Sequence, residues 1–426
     1  MIGLTPVDSP SRAARVQMVV SPGGVRAWLV EDYAVPLVAL EFAVRGGASQ
    51  DPVGKAGAAT MLSGLLDEGA GPYDAEAFHL ALEEKAIELG FSAERDYFAG
   101  RLRTLVRHAE AAFDLLRLAV TEARLDLEPI ERVRGQLSAG LRREAEDPDV
   151  LAHKAWRADA FPGHPYGRPK RGSLDSVAQI TRGHLVELMR RAFARDELKV
   201  AVVGAIDAAK VARMLDDVFG GLPATGDRDP VPQVNVAGLG SRRVVDLDVP
   251  QTTIAFGRTG IARKDPDHVA AYVVNHILGG GVFSARLFKE VREKRGLAYS
   301  VYSSLSTYDH AACFLGGTST KNERALESLQ IIESEIDSLL REGPTEDELD
   351  KAQKYLIGSY DLRFDTSTKI AGQLAHLQVE GFDVSYLDER NKEIAAVTLD
   401  DARRVGKRLF GDGKLAVAMA GRPVGV

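Results

Sequence analysis

Arg292 and Tyr299, seven positions apart in this 426-residue chain, are two residues whose types could do chemistry together. Arg292 lies in a helix end stopped by Gly296, and Tyr299-Ser300-Val301-Tyr302-Ser303 alternates as a strand does. Both side chains can therefore reach one end of a sheet. A guanidinium and a phenol are the donors that stabilise the oxyanion of a tetrahedral intermediate. The plainer reading is an exposed basic turn of Arg292, Lys294 and Arg295 with no chemistry. Common catalytic motifs are missing. There is no Gly-x-Ser-x-Gly elbow, and Gly279-Gly280-Gly281 lacks the Gly-Lys-Ser/Thr continuation of a phosphate loop. His184 and Glu187 begin a metal-helix pattern that ends in Leu188, and His79 with Glu83 reads as a solvated i, i+4 pair.

The elements around these residues are written twice. Val35-Pro36, a strand-like run from Leu37 to Val44, and Asp51-Pro52 ahead of a helix are matched by Val249-Pro250, Thr252 to Phe256, and Asp265-Pro266 ahead of a helix. Pro to Pro is 16 positions in both. Asp-Pro predicts a helix start with proline in an early helical position. Thr181 opens a helix leading to the strand that ends at Gly204, and Thr398 opens one leading to the strand that ends at Gly421, 23 positions in each case. Two copies of one α+β unit account for this order. Gly220 through Gly240 is rich in Pro and Gly, which places the boundary there. The expected domains are 10–222 and 241–426, joined by a linker at 223–240.

After Asp51-Pro52, the residues Ala58, Met61, Leu62, Leu65 and Leu66 form a buried helical stripe. Thr60, Ser63, Gly64 and Asp67 form the stripe beside it.

Gly279 to Phe288, running on through Val291-Arg292-Glu293-Lys294-Arg295-Gly296-Leu297-Ala298-Tyr299, resembles the second-domain signature of the insulinase/pitrilysin-like zinc peptidases, which include the mitochondrial processing peptidase. The resemblance extends to the helix after Asp51-Pro52 and to the loop Gly163-His164-Pro165-Tyr166-Gly167, whose Pro and Gly content favours a scaffold role. It implies a fold of two homologous α/β-sandwich domains, half of a clamshell, with Arg292 and Tyr299 holding a substrate backbone. The family's inverted zinc motif, His-x-x-Glu-His, falls on Thr60, Ser63 and Gly64. Its distal glutamate falls near Ala139 or Gly140, with Glu144 one turn away. A hydroxyl pair and a glycine cannot hold catalytic zinc or activate its water. No cofactor is expected in this chain, and Zn²⁺ is expected in a partner subunit.

The resemblance therefore implies a chain inactive alone: the substrate-binding, non-catalytic subunit of a heterodimeric zinc peptidase acting on peptides or unfolded segments. The alternative is a structural subunit, like the core proteins of the respiratory cytochrome complex. A net charge of −7 gives no basic footprint for nucleic acid, and no apolar run reaches a membrane span. Cys313, the only cysteine, excludes an internal disulfide. Met1 to Val20 carries no signal-peptide pattern. A periplasmic location is expected if a signal peptide has been removed, and a cytoplasmic one otherwise.

Overall fold

The computed structural model describes residues 11–281 and 283–426. Val282 of the glycine-rich run and the first residues of the chain, including the expected domain start at residue 10, lie outside the described residues. Two sheets organise the molecule. The first runs in the order β1 (Gln17–Val20), β2 (Arg26–Glu31), β6 (Lys199–Gly204), β3 (Leu37–Arg45), β5 (Tyr97–Leu105) and β4 (Glu88–Ala93). The second runs β7 (Arg242–Asp246), β11 (Ala416–Gly421), β8 (Gln251–Thr259), β10 (Ala312–Lys321) and β9 (Ala298–Thr307). Pairing is antiparallel except for β2 with β6 and β7 with β11. Residues 223–240 carry neither helix nor strand.

The repeat is visible in the pairing. Phe42 of β3 faces Gly100 of β5, and Phe256 of β8 faces Gly316 of β10. A Cβ at Gly100 would lie 2.0 Å from the Phe42 ring, and one at Gly316 would lie 2.3 Å from the Phe256 ring. Each ring occupies the volume that a cross-strand side chain would fill. Thr181 and Thr398 both cap their helices through reciprocal side-chain and backbone bonds, with His184 and Asp401 as the third-residue partners. His184 spends Nδ1 on that cap.

The central strands β6 and β11 are continuous apolar runs because both faces of each sheet are covered. On β6, Val200 and Val202 face the main helical layer while Ala201 and Val203 face the other way. That second face of the first sheet is covered by the helix Ser367–Val379, which comes from the far half of the chain. The corresponding face of the second sheet is covered by Pro148–Ala160, from the first half. Each half thus lends a helix to the other. Both loans are fastened in the same way: Trp156 Nε1 donates to Ala416 O (2.9 Å) and Gln378 Nε2 donates to Val200 O (2.9 Å).

Two expectations are corrected. Neither proline after aspartate is helical: the helices begin at Ala58 and His268, beyond Pro52 and Pro266. The Ala58 helix also ends at Ser63 instead of continuing through Leu66. Gly64, a poor helix former, closes it, and tight turns carry the next residues into the core.

Candidate functional site: a closed helix and an open Arg–Tyr pair

The Ala58–Ser63 helix buries Ala58, Ala59, Met61 and Leu62 in the first core. Its start is held by Asp51, whose carboxylate accepts from the Gly57 and Ala59 N–H groups, both at 2.7 Å. Burial pushes the Asp51 carboxyl up to about 7, against the pull of those N–H donors. Thr60 Oγ1 donates to Lys170 O (2.8 Å), and Ser63 Oγ donates to Thr60 O (2.9 Å). Both hydroxyls are therefore engaged with backbone carbonyls.

Gly64 is exposed and offers no side chain. Across from the helix, a Cβ on Gly140 would lie 2.6 Å from Arg171 Nη2. The Arg171 guanidinium uses that space and pairs with Glu144. The position that would need a carboxylate for a divalent cation therefore borders a fixed positive charge, and Thr60 and Gly64 supply no imidazole. These residues do not fit a zinc ion. Nearby, Arg132 makes a two-pronged pair with Glu68 (2.9 and 2.6 Å). His79 lies 3.8 Å from Glu68, which corrects its expected pairing with Glu83.

The Arg–Tyr pair is built differently. Phe288–Glu293 forms a wide π-helical turn, and Gly296 takes φ 59°, left-handed backbone that lets the chain reverse into β9. The Arg292 guanidinium carbon sits 4.9 Å from the Phe288 ring centre and 4.6 Å from that of Tyr299. Phe283 packs edge-on against Phe288 at 5.3 Å. Lys294 and Arg295 are both paired with Glu290. Arg292 has no carboxylate partner among the described residues, which separates it from the ordinary basic turn. Tyr299 is 83% exposed, on the outermost strand of its sheet. Stacking orients the guanidinium while leaving its N–H donors available. No hydrogen bond or ion pair among the described residues joins this pair to Thr60, Ser63 or Gly64.

The Gly163–Gly167 loop is structural. His164 Nδ1 accepts from the Tyr166 N–H (3.1 Å), and Nε2 reaches Pro232 O (3.0 Å), tying the loop to the connecting segment. Tyr166 then links the halves: its hydroxyl donates to Asp96 Oδ1 (2.6 Å) and accepts from His310 N–H (3.1 Å). Asp309 donates its N–H to Asp96 (3.2 Å) and pairs with Arg45. Burial, with Asp96 nearby, raises the Asp309 carboxyl. Asp96, Asp309 and His310 place ligand atoms within 4.8 Å of one another, but the carboxylates are already served by protein donors. Sequence reasoning missed this seam, since residues some 200 positions apart leave no local pattern.

Residues 179–356 match the family described as "Peptidase M16 inactive domain". An uncharacterized zinc protease of Streptomyces coelicolor is 27% identical over 404 residues, covering 93% of this chain and 87% of that protein. A non-peptidase homolog of Helicobacter pylori is 27% identical over 338 residues, covering 79% of this chain and 78% of its own. A solved peptidase M16 inactive domain from Pseudomonas fluorescens superposes with a TM-score of 0.90 at 27% identity, covering 96% of this chain and 98% of that one. No helix among the described residues is long and apolar enough to cross a membrane.

Proposed function

From the match of residues 179–356 to the peptidase M16 inactive domain and the likeness of nearly the whole chain to a solved protein of that description, we propose that this chain is of the insulinase/pitrilysin-like M16 family and is the non-catalytic subunit of a two-chain zinc peptidase. The partner is a related chain with an intact His-x-x-Glu-His helix. Arg292 and Tyr299 donate hydrogen bonds to the carbonyl oxygen of a peptide held at the partner's zinc site, and the bonds strengthen as that oxygen gains charge. The observation that carries this reading is Arg292 itself, stacked between Phe288 and the exposed Tyr299 with its charge uncompensated among the described residues. The poor fit of Thr60, Ser63 and Gly64 to a metal supports the division of labour. The relative named a non-peptidase homolog is consistent with it.

The test is peptide turnover by the chain co-expressed with such a partner. Arg292→Ala should lower turnover about 10²–10³-fold, the cost of one oxyanion donor, while the complex stays assembled. A change smaller than about threefold would reject an active-site role and leave the chain as a structural subunit. A periplasmic setting belongs to the same proposal and is tested by cell fractionation.

A further inference from the structure

A cavity of ≈ 190 Å³ lies beside the loaned helix Ser367–Val379. Its other walls come from His268–Asn275 and Tyr386–Ala396 of the second half. It shares wall residues Arg263, Thr307, His376 and Glu380 with the larger space of ≈ 780 Å³ between the two halves. Its charges do not balance. Arg263 and His376 both turn to Glu380, at 2.9 and 3.4 Å, so the one acid on its wall is already engaged. Two further arginines, Arg363 and Arg390, line the cavity.

Arg390 is only 6% exposed. One of its nitrogens, Nη1, donates to Leu356 O (3.2 Å) and Asn391 Oδ1 (2.8 Å). It forms no ion pair among the described residues. The Tyr360 ring centre lies 4.2 Å from the guanidinium carbon and that of Tyr272 5.9 Å away, so the cation rests on aromatic faces. Two other shielded arginines of this half, Arg263 on the same cavity wall and Arg286 away from it, each sit on a carboxylate, at 2.9 and 2.7 Å. A buried guanidinium without an opposite charge is costly. Here the compensating charge has room to come from outside.

We propose that this cavity binds a small multivalent oxyanion, held by the free edge of Arg390 and by Arg363. The fork geometry of a guanidinium matches two oxygens of a phosphate or carboxylate group. The site joins a helix that covers the first sheet to helices of the second half, so occupancy should fasten the two halves together. This proposal does not depend on the peptidase reading.

The test uses the full chain with inorganic phosphate, pyrophosphate and citrate. Each is titrated by calorimetry and by thermal unfolding against sodium chloride of equal ionic strength. Saturable binding and a raised Tm are expected with at least one probe. A response confined to the phosphates identifies a phosphate ligand, and one confined to citrate a polycarboxylate. Arg363→Ala, at an exposed position, should leave the unliganded Tm in place and weaken binding on the order of tenfold. Arg390→Lys keeps the charge but loses the fork, and should weaken binding comparably. No saturable response to any probe, or binding unchanged within about twofold in both variants, would overturn the proposal.

Discussion

The two halves share a design, yet the groups in each that could do chemistry end in opposite states. In the first half, the groups that could do chemistry are closed upon one another. Thr60 and Ser63 bond to carbonyls, Arg171 pairs with Glu144 beside Gly140, and Glu68 is gripped by Arg132. In the second half, Tyr299 stands in solvent and Arg292 is oriented by ring faces that leave its donors open. The lesson concerns satisfaction. A polar group whose hydrogen bonds are all met inside the protein contributes to structure, whereas one held in place with donors unused is available to a ligand. The same contrast recurs between Arg286, seated on Glu348, and Arg390, which has no acidic partner among the described residues.

The sharpest way to break this comparison is to restore the first half. Thr60→His with Ser63→Glu and Gly64→His should still bind no zinc by elemental analysis, because no distal carboxylate replaces Gly140 and Arg171 remains beside it. Stoichiometric zinc in that variant would show that the missing side chains alone silenced the helix. Next in size is the loan of helices between halves. Trp156→Ala should cost about 3–5 kcal/mol in denaturant unfolding, since it empties a buried site and strands the Ala416 carbonyl. Gln378→Ala, at the matching fastening, should cost about 1 kcal/mol, the loss of one hydrogen bond. Similar losses at both positions would mean that the fastening bonds, and not the buried ring, dominate.

A further effect is one of pH. Asp51 has its carboxyl raised to about 7 from an ordinary 3.8, so the folded state holds its proton over a range where the unfolded chain has released it. Its favourable contribution is complete below about pH 4 and fades as pH rises through 7. Asp51→Asn should therefore show a flatter stability profile between pH 4 and 7 than the wild type. An identical slope in both would mean that the Gly57 and Ala59 N–H groups hold the carboxylate ionised throughout.

Much of this was legible in the chain. Strand alternation and the paired spacings of Pro36/Pro52 with Pro250/Pro266 and of Thr181/Gly204 with Thr398/Gly421 follow local rules of backbone geometry, and the structure keeps them as matching strands and caps. The residue types at 60, 63 and 64 were legible too: two hydroxyls and a position with no side chain. The helix boundaries were less legible. Asp51 acts on N–H groups six and eight positions away, and the early stop at Gly64 follows from how the next turns enter the core.

What the sequence determined by itself, then, is the inventory: two similar units, a helix without ligands, and an Arg and a Tyr beside a turn. Only the tertiary structure decided which of those groups remain free. It set Glu290 against Lys294 and Arg295 but not Arg292, laid each half's helix on the other's sheet, and left Arg390 facing a cavity. The reason is physical: a side chain's type is written locally, whereas whether its charge and hydrogen bonds are met depends on partners that only folding brings near.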